Sequence, residues 1–149
     1  FDWRSICTEL FTNTDHLTLN KPTSQALKNK IKGVDVFKII GRIDIGQSLI
    51  IQNQLILGLE CIEGTDELIK RCNNYKKKGD KGILLKLSKY NQDNRFDIPV
   101  IGIKTLQLLH KYNYEGLFIE KGNSIILEKE KVIQFCNNKS LFISSVKKF

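Results

Sequence analysis

The sequence predicts an α/β fold: a mixed β-sheet with flanking helices. Three observations carry that expectation. Short runs rich in Ile and Leu alternate with segments of helical periodicity. Some of the apolar runs follow each other across short turns, while others are separated by a helix, so that hairpins and crossovers coexist. The balance of 41% hydrophobic and 27% charged residues in 149 residues is that of an ordinary folded domain.

The elements read in order as follows. Phe1 to Leu10 has helical spacing, with Trp3, Ile6, Cys7 and Leu10 on one face. Thr12 to Pro22 is polar and irregular, so residues 1–22 read as a helix and linker ahead of a domain over 23–149. Pro22, Thr23 and Ser24 start a long helix by N-cap chemistry, with Ala26, Leu27, Ile31, Val34 and Phe37 as its apolar stripe. Ser48–Gln52 and Leu55–Glu60 flank Asn53-Gln54, a hairpin signal. Gly64-Thr65-Asp66-Glu67 opens a helix whose early acids suit the dipole, and the basic run Lys76–Lys78 with Gly79 stops it. Gly82–Ser88 is a strand.

Ile103–Tyr112 is helical, with Ile103, Leu106 and Leu109 on one face. Leu117–Glu120 and Ser124–Leu127 form a second hairpin, Lys129–Asn137 a helix and Leu141–Val146 a strand. Both halves then read helix, strand, strand, helix, strand, which suggests two similar halves.

Composition bounds the function. Lys and Arg total 24 against 16 acids, a net charge of +8. That balance points to an anionic partner: nucleic acid, phosphate esters or an acidic membrane surface. A solvated basic surface explains it equally well. Cys7, Cys61, Cys72 and Cys136 include no Cys-x-x-Cys pair, and His16 and His110 are the only histidines, so zinc is not expected and free buried thiols are. The chain starts at Phe1 and has no Met, which suggests a piece of a longer protein.

Three polar clusters interrupt the apolar pattern. The first is Asp44-Ile45-Gly46-Gln47, where an acid opposes the dipole at a helix C-terminus. Its bland reading is a turn. The second is Glu60-Cys61-Ile62-Glu63-Gly64-Thr65-Asp66, with acids at a strand-to-helix junction. Capping accounts for Thr65 but leaves Glu60 and Glu63 unexplained. The third runs from Lys86 through Lys89 and Gln92 to Gly102 and contains Asp93, Arg95, Asp97 and Pro99. If that stretch is extended, Asp93, Arg95 and Asp97 share one face at steps of about 7 Å. A guanidinium fork suits phosphate oxygens, and flanking carboxylates suit Mg2+ or general-base work. A structural Asp–Arg pair is the alternative.

In that order, the three clusters resemble the C-terminal domain of LpxI-type UDP-2,3-diacylglucosamine pyrophosphatases, over roughly Thr18 to Ser144. The resemblance implies a preceding Rossmann-like domain, absent from this chain. It implies Mg2+-dependent cleavage of UDP-2,3-diacylglucosamine to UMP and 2,3-diacylglucosamine 1-phosphate in lipid A biosynthesis. It also implies a cytoplasmic enzyme, peripheral to the inner membrane of a Gram-negative bacterium. An essential Asp in the third cluster is implied, which is Asp97 or Asp93 here. Lys86, Lys89, Gln92, Arg95, Gln47 and Thr65 are the substrate candidates, and Asp44, Glu63 and Asp66 the metal candidates. Homo-oligomerisation is compatible with this reading. A non-catalytic nucleotide-sugar or nucleic-acid binding module is the alternative, although no RNA-stacking motif is recognisable.

Overall fold

A computed structural model describes residues 14–89 and 98–147. The helix expected over Phe1–Leu10 lies outside them. Helix α1 spans Ser24–Ile40, with Thr23 as N-cap accepting the Ala26 amide at 3.2 Å. Strands β1 (Ser48–Gln52) and β2 (Leu55–Leu59) form the expected antiparallel hairpin. Its two-residue turn places Asn53 and Gln54 at φ 52° and 59°, the left-handed pair that a type I′ hairpin requires. Helix α2 (Thr65–Asn73) stops before the basic run, and β3 (Ile83–Lys86) follows.

The second half brings β4 (Val100–Ile101), α3 (Ile103–Lys111), β5 (Gly116–Glu120), β6 (Ile125–Ile126), α4 (Lys129–Asn138) and β7 (Phe142–Val146). The main sheet has the order β2-β1-β3-β5-β7. β1 is antiparallel to both β2 and β3, whereas β3, β5 and β7 run parallel. The sheet is mixed, as expected.

Counted from α1 and from α3 the element order is the same, but β4 has no counterpart in the first half and the strand pairing differs. β6 leaves β5 and pairs in parallel with β4 in a two-stranded sheet. The hairpin expected over Leu117–Leu127 is therefore not formed. Its turn sequence is compatible with pairing, but Ile125 finds the Pro99 carbonyl instead, at 2.9 Å.

Alternation along the strands splits the core into two layers. Ile50, Leu84, Leu117, Ile119 and Ile143 face α2, α3 and α4, where Leu68, Ile69, Leu106, Leu109 and Val132 complete the packing. Leu49, Ile51, Ile83, Leu85, Phe118 and Phe142 face α1. The buried stripe of α1 is Ala26, Asn29, Gly33 and Phe37. The expected stripe is corrected accordingly, because Leu27 and Ile31 are 39% and 59% exposed. The reason is close approach. A Cβ on Gly33 would lie 2.7 Å from Leu85 Cδ2 and 2.9 Å from Ile51 Cδ1, so the helix meets the sheet through small residues.

Asn29 is buried for its polarity. It donates to Asp80 and accepts the Gln54 amide, while Asp80 also takes the Asn53 and Gly82 amides. This network ties α1, the β1–β2 turn and the loop before β3 at one end of the sheet. The segment expected to be a linker is docked: Leu17 and Ser145 amides bond to Ile143 and Asp15 carbonyls along the outer edge of β7. Among the described residues no helix is long and apolar enough to cross a membrane.

Candidate active site

Topology brings the first two clusters together. In an antiparallel hairpin the start of β1 lies beside the end of β2, and β3, antiparallel to β1, ends at that same edge. Ser48, Glu60 and Lys86 are consequently neighbours, and Ser48 and Lys86 are register partners. The Glu60 amide donates to the Ser48 carbonyl and the Leu87 amide to the Gln47 carbonyl, each at 2.9 Å. This end of the sheet therefore combines the amino end of β1 with the carboxyl end of β3.

A cleft of about 300 Å³ opens there, lined by Ile45, Gly46, Gln47, Glu60, Cys61, Lys89 and Ile98. Gly46 is required by the fit: a Cβ would come 2.0 Å from the Glu60 carbonyl oxygen. Lys89 forms an ion pair with exposed Asp44 at the rim.

Behind the wall stands Lys86, only 8% exposed. Its ammonium donates to Thr65 Oγ1 at 3.0 Å and to the Val100 carbonyl at 3.2 Å. Thr65 donates to Glu60 Oε2 at 2.9 Å, and its hydroxyl lies 3.0 Å from Ser48 Oγ. One hydroxyl has one proton and two lone pairs, so Thr65 is fully used when Ser48 is the donor. A cation is thereby linked through Thr65 to a carboxylate on the cleft wall. Burial pushes the Lys86 ammonium below the ordinary lysine range, and Glu60 and Asp66 oppose that shift.

Asp44, Gln47, Thr65, Lys86 and Lys89 therefore gather at one end of the sheet. Asp66 accepts from Thr105 at 2.8 Å, joining the starts of α2 and α3. Glu63 turns away to Arg71 at 2.7 Å, and that guanidinium holds its carboxyl below the usual carboxylate range. Among the described residues no three His, Cys, Asp or Glu side chains group as metal ligands. The three acids named for a metal do not by themselves form a magnesium site. Gln92, Asp93, Arg95 and Asp97 lie outside the described residues.

Cys72 and Cys136 are buried, and burial pushes their thiols up to about 11 and about 12. Cys61 is exposed in the cleft, contrary to the expectation of buried thiols. Glu120 was also missed. It is 3% exposed at the end of β5 and accepts the Ser88 amide at 2.9 Å. A charge closing the apolar run Leu117-Phe118-Ile119 was the available signal, the same one that singles out Lys86 after Ile83-Leu84-Leu85.

Fold and cleft define an α/β domain with lysines and acids gathered at the carboxyl edge of its central strand. The profile of the LpxI C-terminal domain matches residues 13–144. The chain belongs to that family. UDP-2,3-diacylglucosamine pyrophosphatase LpxI of Caulobacter vibrioides is 30% identical over 131 residues, covering 84% of this chain and 47% of that protein. The chain thus spans about half the length of that curated relative.

Proposed function

We propose that the intact protein hydrolyses the pyrophosphate of UDP-2,3-diacylglucosamine to UMP and 2,3-diacylglucosamine 1-phosphate. Family membership and the activity in the relative's name support the substrate. The observation that carries the reading on this chain is the Lys86–Thr65–Glu60 relay behind a cleft bearing Lys89 and Gln47.

Phosphoryl transfer depends on charge stabilisation and in-line positioning more than on covalent help. Lys89 at the rim and Lys86 behind the wall favour a diphosphate. Water attacks one phosphorus and gives its proton to a carboxylate, Asp97 or Asp93. The bond to the bridging oxygen breaks, and that oxygen leaves with the other phosphate. Whichever of Asp93 and Asp97 does not take the proton would be available to hold magnesium, which would neutralise diphosphate oxygens when bound. No step here is routed through it.

UMP release by the intact protein tests the reading. A carboxylate base contributes about 10²–10⁴-fold, so Asp97→Asn or Asp93→Asn should remove activity on that scale. EDTA should abolish release, and added Mg2+ should restore it. Absence of UMP release under all conditions would leave a nucleotide-sugar binding domain.

A further inference from the structure

Lys89 is a cleft cation whose backbone sits just past the end of β3. The ladder between β3 and β5 stops at Lys86 and Ile119. Beyond it, two consecutive amides are still held, one from the β1 side and one from the β5 side. Leu87 donates to the Gln47 carbonyl and Ser88 to Glu120 Oε2, each at 2.9 Å. The first acceptor is main chain and does not depend on side-chain identity. The second is a carboxylate, so a single side chain governs where the chain stands as it reaches Lys89.

Glu120 is well placed for that task. Its own backbone is fixed, because β5 still pairs with β7 there: Glu120 is the register partner of Val146, and the Lys121 amide donates to the Val146 carbonyl at 2.8 Å. Glu120 and Ser88 are 3% and 1% exposed, so water does not compete for their bond. An amide donating to a carboxylate makes a charge-assisted bond, stronger than a neutral one. Burying a carboxylate is unfavourable unless its oxygens are bonded, and here the bond goes to the backbone one residue from the cleft wall. A charge closing the apolar run Leu117-Phe118-Ile119 breaks the local pattern, as residues at functional sites tend to do.

We propose that Glu120 is a positioning residue for the hydrolysis: it holds the chain at Ser88 and thereby sets Lys89 against the diphosphate. The inference rests on the hydrolase reading above. Lys89 meets Asp44 at the rim and lines the cleft beside Gln47 and Glu60, so a shift at Ser88 displaces a cation on that wall. A misplacement of about 1 Å, even from a change outside the reacting centre, costs up to about 10²-fold in rate.

The test is a double-mutant cycle on UMP release by the intact protein. Glu120→Leu should lower kcat/KM by about 10–100-fold, and Lys89→Ala should lower it at least as far. The double variant should match Lys89→Ala within about twofold, because residues that act through one contact are not additive. Glu120→Gln keeps an acceptor oxygen at the same reach and should recover most of the loss. Glu120→Asp keeps the charge but draws it back by one methylene, and should not. Losses that multiply in the double variant overturn the proposal, since Glu120 then acts on something other than Lys89. So does wild-type kcat/KM in Glu120→Leu, whatever its Tm. Should Glu120→Leu not fold, Glu120→Asp completes the same cycle. Calorimetry with inorganic pyrophosphate separates this inference from the reading it rests on. A protein that releases no UMP, but whose pyrophosphate affinity falls in Glu120→Leu and Lys89→Ala and no further in the double variant, would sink the hydrolase reading alone. UMP release with multiplying losses would sink this inference alone.

Discussion

Lys86 occupies a position that its strand would otherwise fill with an aliphatic side chain. Its ammonium is linked through Thr65 to Glu60 rather than placed on the cleft surface, so its influence on a bound anion is electrostatic. Its proton is held less tightly in the folded chain than in the unfolded one. As pH rises through that window, which lies below the ordinary lysine value, the folded state sheds the proton first and stability increases. Below the window both states are charged and the folded state carries the desolvation cost. The stability of the wild type relative to Lys86→Met should therefore rise with pH in that range, measured by denaturant melts. The same titration should impose an alkaline limb on kcat/KM for UMP release, absent from Lys86→Met. At neutral pH that variant should lose about tenfold, less than the ~10²–10³-fold of deleting a donor that touches the reacting oxygen.

At the scale of elements, the β1–β2 hairpin shows what local sequence can and cannot specify. Asn53 and Gln54 both take left-handed conformations, which cost an ordinary L-residue about 1–2 kcal/mol. Gln54→Gly should raise stability by roughly 1 kcal/mol, read as a higher Tm, because the Asn29 contact uses the backbone amide and survives the change. This hairpin was legible because its turn and both strands are contiguous. The second was misread because a distant carbonyl, that of Pro99, decides where Ile125 pairs. The α1 stripe failed for a related reason: proximity to the sheet, set by Gly33, outweighs side-chain hydrophobicity. Asp44, Gln47, Thr65, Lys86 and Lys89 were legible because polar residues broke an apolar pattern. Ser48 was not, since it takes its meaning from tertiary neighbours, whereas Glu120 carried the same signal as Lys86, a charge closing an apolar run.

Across the whole molecule, the two ends of the sheet differ in kind. One carries the Asp80 network, in which Asp80 joins Asn29, Asn53 and Gly82. The other carries the cleft lined by Gln47, Glu60 and Lys89. The charge of +8 adds a long-range attraction to anionic surfaces, worth about 1 kcal/mol per basic residue close to a membrane. Binding to vesicles rich in anionic lipid should fall steeply as salt rises in a sedimentation assay, and salt-independent binding would argue against an electrostatic mode.

The strip along β7 has a practical consequence. Its bonds from Leu17 to Ile143 and from Ser145 to Asp15 occupy backbone groups that an uncovered sheet border would offer to other molecules, and Lys121 on Asp15 and Asn137 on the Leu19 amide hold the strip in place. Solubility of this domain thus resides partly in residues that contribute almost no regular secondary structure. Among the described residues, trimming the chain back to Lys21 would leave every fully buried apolar residue in place, removing only Leu17 from the margin of the core, and still invite aggregation.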